Sequence, residues 1–204
     1  QLQGDGIVLL GPDSGDQACG ETGPGRMLEP ADLLEDLLAT LSPKPLAGKK
    51  LLITGVLSNR SIAYGIAKAC RDQGAELAFS YVGERFKDRI TEFAADFDSK
   101  LIFDCDVGDD AQIERLFADL SQHWPQFDGF VHSIGFAPRE AIAGDFLDGL
   151  TRENFRIAHD ISAYSFPAMA KAALPYLAPK ASLLTLSYLG ALRTVPNYNT
   201  MGLA

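Results

Sequence analysis

Two tyrosines near the end of the sequence are the side chains best suited to acid–base chemistry. Tyr188 follows an apolar segment with the character of a strand, and Tyr198 comes ten residues later. A phenol keeps its proton at neutral pH because its ordinary pKa is ~10, so it can donate a hydrogen bond. Such a donor can stabilise a developing enolate and deliver a proton to it. The alternative is that both rings pack at the rim of the core.

The segment that contains Gly55 and Ser61 has features of a dinucleotide site. An apolar strand, residues 51–54, runs into Gly55, where the backbone can pass close to a pyrophosphate. Ser61 stands near the N-cap of the next helix and offers a hydroxyl beside the free amides of the helix start. Gly65, one turn later, is expected to pack closely against the strand. The general G-x-G-x-x-G fingerprint is absent, so a plain strand–turn–helix unit is the alternative.

Two further strand ends carry residues that fit the same ligand. Asp106 follows a strand and can accept a hydrogen bond from an adenine amino group. Ser133, Ile134 and Gly135 follow the next strand and can lay backbone beside the adenosine ribose. Each segment alone is typical of an ordinary loop. Their common position at the carboxyl ends of strands favours a bound dinucleotide.

The elements that must position these residues alternate between strand and helix from Leu46 onward. Strands are predicted at residues 50–54, 76–81, 101–103, 129–132 and 182–186, and helices at residues 61–73, 86–97, 111–123 and 155–174. This alternation indicates βαβ units with right-handed crossovers. The predicted fold class is therefore α/β, a Rossmann-like doubly wound parallel sheet with helices on both faces.

The first 45 residues differ from the rest in composition and in hydrophobic pattern. Residues 1–26 contain seven glycines and no sustained period, which predicts a flexible segment. Leucine spacing over residues 30–38 predicts one short amphipathic helix with an acidic face. We therefore predict two regions, an N-terminal extension at 1–45 and a dinucleotide-binding domain at 46–204.

Composition narrows the classes of function. Eight acidic and two basic residues lie in the first 45, so the remainder is nearly balanced despite a net charge of −9, which argues against nucleic-acid binding. No apolar run approaches the ~20 residues that cross a bilayer. The three cysteines are widely spaced and form no CxxC pair. This arrangement argues against a metal site or a disulfide framework and favours a reducing cytoplasm.

Long strings of this sequence closely resemble the bacterial NADH-dependent enoyl-acyl carrier protein reductases, a divergent branch of the short-chain dehydrogenase/reductase superfamily. Examples are H-S-I-G-F-A-P at 132–138 and P-N-Y-N-T-M-G-L-A at 196–204. The matching strings run in the family's order and spacing and cover nearly everything after residue 45. They lie at residues 55–65, 74–79, 105–107, 128–138, 158–165, 186–191 and 196–204.

The resemblance implies hydride transfer from NADH to the β-carbon of a trans-2-enoyl thioester on acyl carrier protein, a step of fatty-acid elongation. Tyr198 would donate the hydrogen bond to the thioester oxygen, with Tyr188 nearby in the same pocket. Phe136 and Ala137 would line the substrate side. The residues implied to hold NADH are Gly55, Ser61, Ile62, Asp106, Val107, Ser133, Ile134 and Gly135. The complete family member is expected to be a cytoplasmic homotetramer without a metal.

The sequence departs from the family in three respects. Val82 stands where some members have a polar side chain near the adenosine, with Arg85 and Lys87 close by, so a strict preference for NADH is implied only by the resemblance. The family spacing places a catalytic lysine at position 205, just beyond Ala204, so the C-terminal part is expected to be lacking and catalysis to be impaired. Residues 1–45 have no recognisable counterpart. One alternative is a carbonyl-reducing short-chain dehydrogenase, but its Tyr-x-x-x-Lys motif is contradicted by Gly202. Another is a truncated, non-catalytic nucleotide-binding fragment with an acidic interaction tail.

Overall fold

A computed structural model of the chain describes residues 13–16, 22–26, 28–41, 44–193, 195–196 and 198–204. The chain divides into two compact units, Gln1–Lys44 and Pro45–Ala204. In the described part of the first unit, strands β1 (Asp13–Asp16) and β2 (Thr22–Arg26) pair antiparallel, and helix α1 spans Pro30–Leu41. The expected flexibility of residues 1–26 falls largely outside the described residues, and its described part forms these two strands.

The second unit contains a five-stranded sheet in the order β5-β4-β3-β6-β7, with every neighbouring pair parallel. The chain starts at the centre, builds outward on one side, and then crosses to the other. This order creates a switch point between β3 and β6, where such sheets bind ligands. The strands are β3 (Lys50–Ile53), β4 (Glu76–Tyr81), β5 (Ile102–Asp104), β6 (Phe127–His132) and β7 (Leu177–Thr185).

Helices connect these strands on both faces of the sheet, which confirms the predicted fold class. The α-helices are α2 (Ile62–Asp72), α3 (Lys87–Ala95), α4 (Asp110–His123), α5 (Arg139–Ile142), α6 (Arg152–His159) and α7 (Ser165–Ala173). Short 3₁₀ turns lie at Glu84–Phe86, Leu174–Tyr176, Leu189–Ala191 and Asn199–Gly202. Among the residues described, no helix combines the length and apolar character needed to cross a membrane.

The sheet separates two apolar core layers because successive strand residues point to opposite faces. Leu52 lies on one face and packs in a layer with Phe117 of α4 and Met169 of α7. The next residue, Ile53, lies on the other face in a layer that includes Ile90 of α3. All five of these side chains are essentially inaccessible to solvent. The central strands are thus covered on both sides, and their carboxyl ends are held rigidly.

Trp124, the only tryptophan of the sequence, closes helix α4. Its backbone amide donates to the carbonyl of Leu120 at 2.9 Å. The indole is buried in the same core layer as Phe127. The end of α4 is therefore anchored in the core before the chain enters β6.

The single helix predicted over residues 155–174 is wrong in one respect, because a π-helical turn interrupts it. Helix α6 is followed by the π-turn, Asp160–Tyr164, and then by α7. The amide of Ser165 bonds to the carbonyl of Asp160, five residues earlier. A π-turn accommodates one additional residue, so the side chains beyond it face a different direction.

Candidate functional site

The turn after β3 is held against the end of β6 by one buried threonine. The Thr54 hydroxyl donates to the carbonyl of Val131 at 3.0 Å and accepts from the amide of Ser133 at 3.2 Å. Gly55 follows with φ of +77°, and a Cβ there would lie 1.8 Å from the Ser133 carbonyl oxygen. Only glycine fits this close approach of two backbones at the switch point.

Ser61 caps helix α2 as its position in the sequence predicts. Its hydroxyl accepts from the amide of Tyr64 at 3.2 Å and donates to the carbonyl of Ser58 at 2.7 Å. Ile62 begins the helix and is two-thirds exposed. The expected close packing of Gly65 against the strand is wrong, because a Cβ there would meet nothing within 4 Å.

A cavity of about 370 Å³ lies at the carboxyl ends of β3, β4, β5 and β6, and we call it the cofactor cleft. Six of the eight residues expected to hold the cofactor line it, while Ser61 and Ile62 lie outside the lining. Phe136, expected on the substrate side, also lines this cleft, and Ala137 does not. The six are Gly55, Asp106, Val107, Ser133, Ile134 and Gly135.

Several lining residues of the cofactor cleft were not among those expected to hold the cofactor. Val82, Arg85 and Phe86 come from the segment after β4, and the Arg85 guanidinium lies 4.6 Å from the centre of the Phe86 ring. The resemblance placed Val82 and Arg85 near the adenosine, whereas Phe86 was not anticipated, although the rule that strand ends border the ligand would have found it. Ile161 comes from the π-turn, for which the sequence carries no signal.

Two cleft residues differ in their capacity for chemistry. The Asp106 Oδ1 accepts from the amide of Gly108 at 2.9 Å. Within the described part of the chain, its Oδ2 has no hydrogen-bond partner. Burial, together with neighbouring carboxylates, raises the pKa of Cys105 to about 12. Its thiol stays protonated and serves as a small apolar wall rather than a nucleophile.

A second cavity of about 310 Å³ contains both tyrosines, and we call it the tyrosine pocket. The rings of Tyr188 and Tyr198 are 4.5 Å apart between centroids, at an interplanar angle of 37°. Tyr188 is half-exposed, so it is not packed into the core. Ile134 lines both the tyrosine pocket and the cofactor cleft, which shows that the two cavities adjoin.

The turn that carries Tyr198 is fastened to the segment after α5. Asn199 has a positive φ of 39°. Its side-chain amide donates to the carbonyls of Ile142 at 3.3 Å and Gly144 at 3.0 Å. An asparagine tolerates this backbone conformation better than most residues, and these two bonds fix the turn that presents the phenol.

His132 ends β6 but lines neither cavity. It is buried, with Nε2 at 2.7 Å from the Ser165 hydroxyl and Nδ1 at 3.1 Å from the Thr185 hydroxyl. Since Ser165 donates its proton to the carbonyl of Ile161, Nε2 must carry the imidazole proton. Burial lowers the pKa of His132 to about 4, so the ring is a neutral brace between β6, β7 and α7.

No group of three or more histidines, cysteines or acidic residues arranged to hold a metal ion occurs within the described ranges. The two cavities offer phenols, serine hydroxyls, backbone amides, the Arg85 guanidinium and the Oδ2 of Asp106. This donor set suits a nucleotide and a carbonyl oxygen.

Comparison with known proteins gives a consistent family. A family described as Enoyl-(Acyl carrier protein) reductase matches residues 55–204. The sequence is 61% identical over 160 residues to the enoyl-[acyl-carrier-protein] reductase [NADH] FabI of Neisseria meningitidis serogroup B. It is 58% identical over 159 residues to FabI of Escherichia coli. Each match covers 78% of this chain and 61% of the relative, so the chain spans about three-fifths of their length.

Solved structures agree with the sequence comparison. The enoyl-[acyl-carrier-protein] reductase (NADH) of Aquifex aeolicus superposes with a TM-score of 0.76 at 46% identity, covering 78% of this chain and 63% of that one. The reductase of Anaplasma phagocytophilum, solved in complex with NAD, gives a TM-score of 0.75 at 40% identity, covering 78% and 60%.

Proposed function

The chain belongs to the enoyl-(acyl carrier protein) reductase family, and from this premise we propose that it binds NADH and reduces a trans-2-enoyl thioester. The observation that carries the proposal is the tyrosine pair facing a pocket that adjoins the strand-end cleft through Ile134. A nucleotide-binding cleft alone would suit many enzymes, whereas a phenol pair at its inner end suits reduction next to a carbonyl.

The cofactor cleft fits a dinucleotide in shape and in chemistry. It lies at the switch point of the sheet, where the missing side chain of Gly55 leaves backbone accessible. The free Oδ2 of Asp106 can accept from an adenine amino group. Ser133 and Gly135 offer backbone along the same wall.

Bound NADH would supply the hydride that reduces the β-carbon of the thioester. The thioester oxygen would then gain negative charge, and in this proposal the Tyr198 hydroxyl donates a hydrogen bond to it. Tyr188 packs against the Tyr198 ring and restricts its orientation. A proton added at the α-carbon completes the saturated chain.

Family membership supports three further parts of the proposal. The relatives are named for an acyl-carrier-protein substrate, so we propose that the enoyl group is carried by acyl carrier protein. We also propose a cytoplasmic location, and a homotetramer for the complete family member. Light scattering of that complete protein checks the tetramer, because a particle of any other size contradicts it.

The proposed function is tested by two measurements on the same preparation. Calorimetric titration with NADH should show saturable binding, and mixing with an enoyl thioester should consume NADH at a rate that depends on thioester concentration. Absence of NADH binding would overturn the proposal. Binding without any consumption of NADH would contradict reduction by this chain, and consumption restored in a chain extended by the family's C-terminal part would separate impaired catalysis from the nucleotide-binding alternative.

A further inference from the structure

The π-turn lies between the functional cavities of the second unit. Ile161 lines the cofactor cleft and Ser162 lines the tyrosine pocket. Consecutive residues therefore reach both cavities. Such turns are rare inside helices and are frequent at functional sites, so what each side chain contacts is informative.

Ser162 bonds both backbone groups of one residue. The amide of Phe136 donates to the Ser162 hydroxyl oxygen at 3.0 Å, and the hydroxyl lies 3.0 Å from the carbonyl oxygen of the same Phe136. The hydroxyl is also 3.6 Å from the sulfur of Met201. Since a hydroxyl has one proton and a carbonyl is the stronger acceptor, the Phe136 carbonyl receives it.

The segment that Ser162 contacts lies beyond the end of its strand. β6 ends at His132, and residues 133–136 continue along the cofactor cleft as irregular backbone. The Phe136 side chain is half-exposed and offers little packing to hold its backbone. Gly135 lies so close to the Met201 methyl that a Cβ would approach it to 3.0 Å. The backbone at Phe136 thus depends on a side chain from another element.

We propose that Ser162 is a positioning residue that fixes the wall of the cofactor cleft relative to the turn that carries Tyr198. Through Phe136 it holds the cleft, and through Met201 it touches the turn Asn199–Gly202. Ser162 touches neither reacting group in this arrangement, and its effect is exerted through the backbone of Phe136. The expected effect on NADH binding rests on the proposed function, whereas the positioning of the Phe136 backbone by Ser162 does not.

The test compares Ser162→Ala with Ser162→Thr, which keeps the hydroxyl. Ser121→Ala is the matched control, because Ser121 also lies in a helix, is half-buried, and donates to the carbonyl of Ala118 in its own helix. Amide hydrogen exchange at Phe136 is measured in each variant, together with NADH affinity by calorimetry. A cooperative thermal melt establishes that each variant is folded.

In Ser162→Ala, exchange at Phe136 should accelerate on the order of tenfold and the Kd for NADH should rise by a similar factor, as loss of two hydrogen bonds predicts. Ser162→Thr should recover both values, and Ser121→Ala should change neither. Unchanged exchange at Phe136, or unchanged Kd, in folded Ser162→Ala overturns the proposal. If the original chain binds no NADH, the proposed function fails. Exchange at the Phe136 amide alone then decides whether Ser162 holds the Phe136 backbone.

Discussion

Tyr198 is the residue whose loss should separate chemistry from binding. Replacement by phenylalanine keeps the ring contact with Tyr188 but removes the hydroxyl that would face the thioester oxygen. We expect Tyr198→Phe to slow thioester-dependent NADH consumption by roughly a hundredfold while the Kd for NADH stays unchanged. Steady-state kinetics and calorimetry measure the two effects.

Tyr176→Phe is a suitable comparison for that variant, because Tyr176 lines a groove beside α4 and α7 and neither of the two functional cavities. Its turnover should match that of the original chain. Equal rates for Tyr198→Phe and Tyr176→Phe would contradict the assigned role of the phenol.

Thr200 presents a buried hydroxyl whose oxygen has no hydrogen-bond partner within the described ranges. Valine has nearly the same shape and no polar atom to desolvate. Thr200→Val should therefore raise the free energy of unfolding by about 1 kcal/mol, measured by urea denaturation.

Thr54 supplies the contrasting case for the same substitution. It is equally buried, but its hydroxyl bonds Val131 and Ser133. Thr54→Val should lower the free energy of unfolding by about 1–3 kcal/mol. If both valine variants changed the free energy of unfolding in the same direction, hydrogen bonding of the threonine hydroxyl would not decide the sign of that change.

The residues of the site were predictable where a polar residue or a glycine directly follows an apolar strand. Asp106 and Ser133 follow apolar strands directly, so the sheet topology alone brings them together. The Tyr188–Tyr198 contact required the 3₁₀ turn and the Asn199 bonds, neither of which spacing reveals. Phe86 was missed because the segment after β4 resembles a plain surface turn.

At the scale of elements, the contact of the β3 turn with β6 depends on a glycine. Gly55→Ala would force a Cβ to 1.8 Å from the Ser133 carbonyl, so the two strand ends must separate. We expect the Gly55→Ala variant to bind NADH at least about tenfold more weakly, because backbone contacts to the dinucleotide would be lost. Calorimetry and a thermal melt measure affinity and stability.

Gly65→Ala provides the control, since a Cβ at that helical position meets nothing within 4 Å. Alanine is the better helix former by about 1 kcal/mol, so this variant should melt at a higher temperature and keep its affinity for NADH. If Gly65→Ala weakened NADH binding as much as Gly55→Ala, backbone contact at Gly55 would not be the cause.

His132 should make the packing of β6, β7 and α7 sensitive to acid. Its pKa falls from 6.5 when unfolded to about 4 when buried, so below pH 6.5 the unfolded state takes up the proton first. The stability that neutral His132 provides is complete above pH 6.5 and is lost as the pH falls towards 4. Urea denaturation across this window should show a steeper loss for the original chain than for His132→Gln, and identical slopes would contradict this assignment.

The elements themselves were predictable because strand and helix alternate with clear apolar periods. All five strands of the sheet were located, although β7 begins five residues earlier than predicted. The π-turn was not, because the apolar spacing of residues 155–174 is compatible with one continuous helix. Helix α5 is only four residues long, too short to produce a period.

At the scale of the whole molecule, every residue of the cofactor cleft and the tyrosine pocket belongs to the second unit. A chain that starts at Pro45 should therefore bind NADH with the same Kd as the full chain. Calorimetry on both chains checks this. A Kd that differs more than about threefold would show that residues 1–44 influence the site.

The burial of Trp124 has a spectroscopic consequence. It is the only indole in the sequence, and it lies in the core layer between α4 and β6. Excitation at the red edge of protein absorption therefore produces light from a single fluorophore in the second unit. A red shift of its emission during denaturation therefore reports the opening of that core.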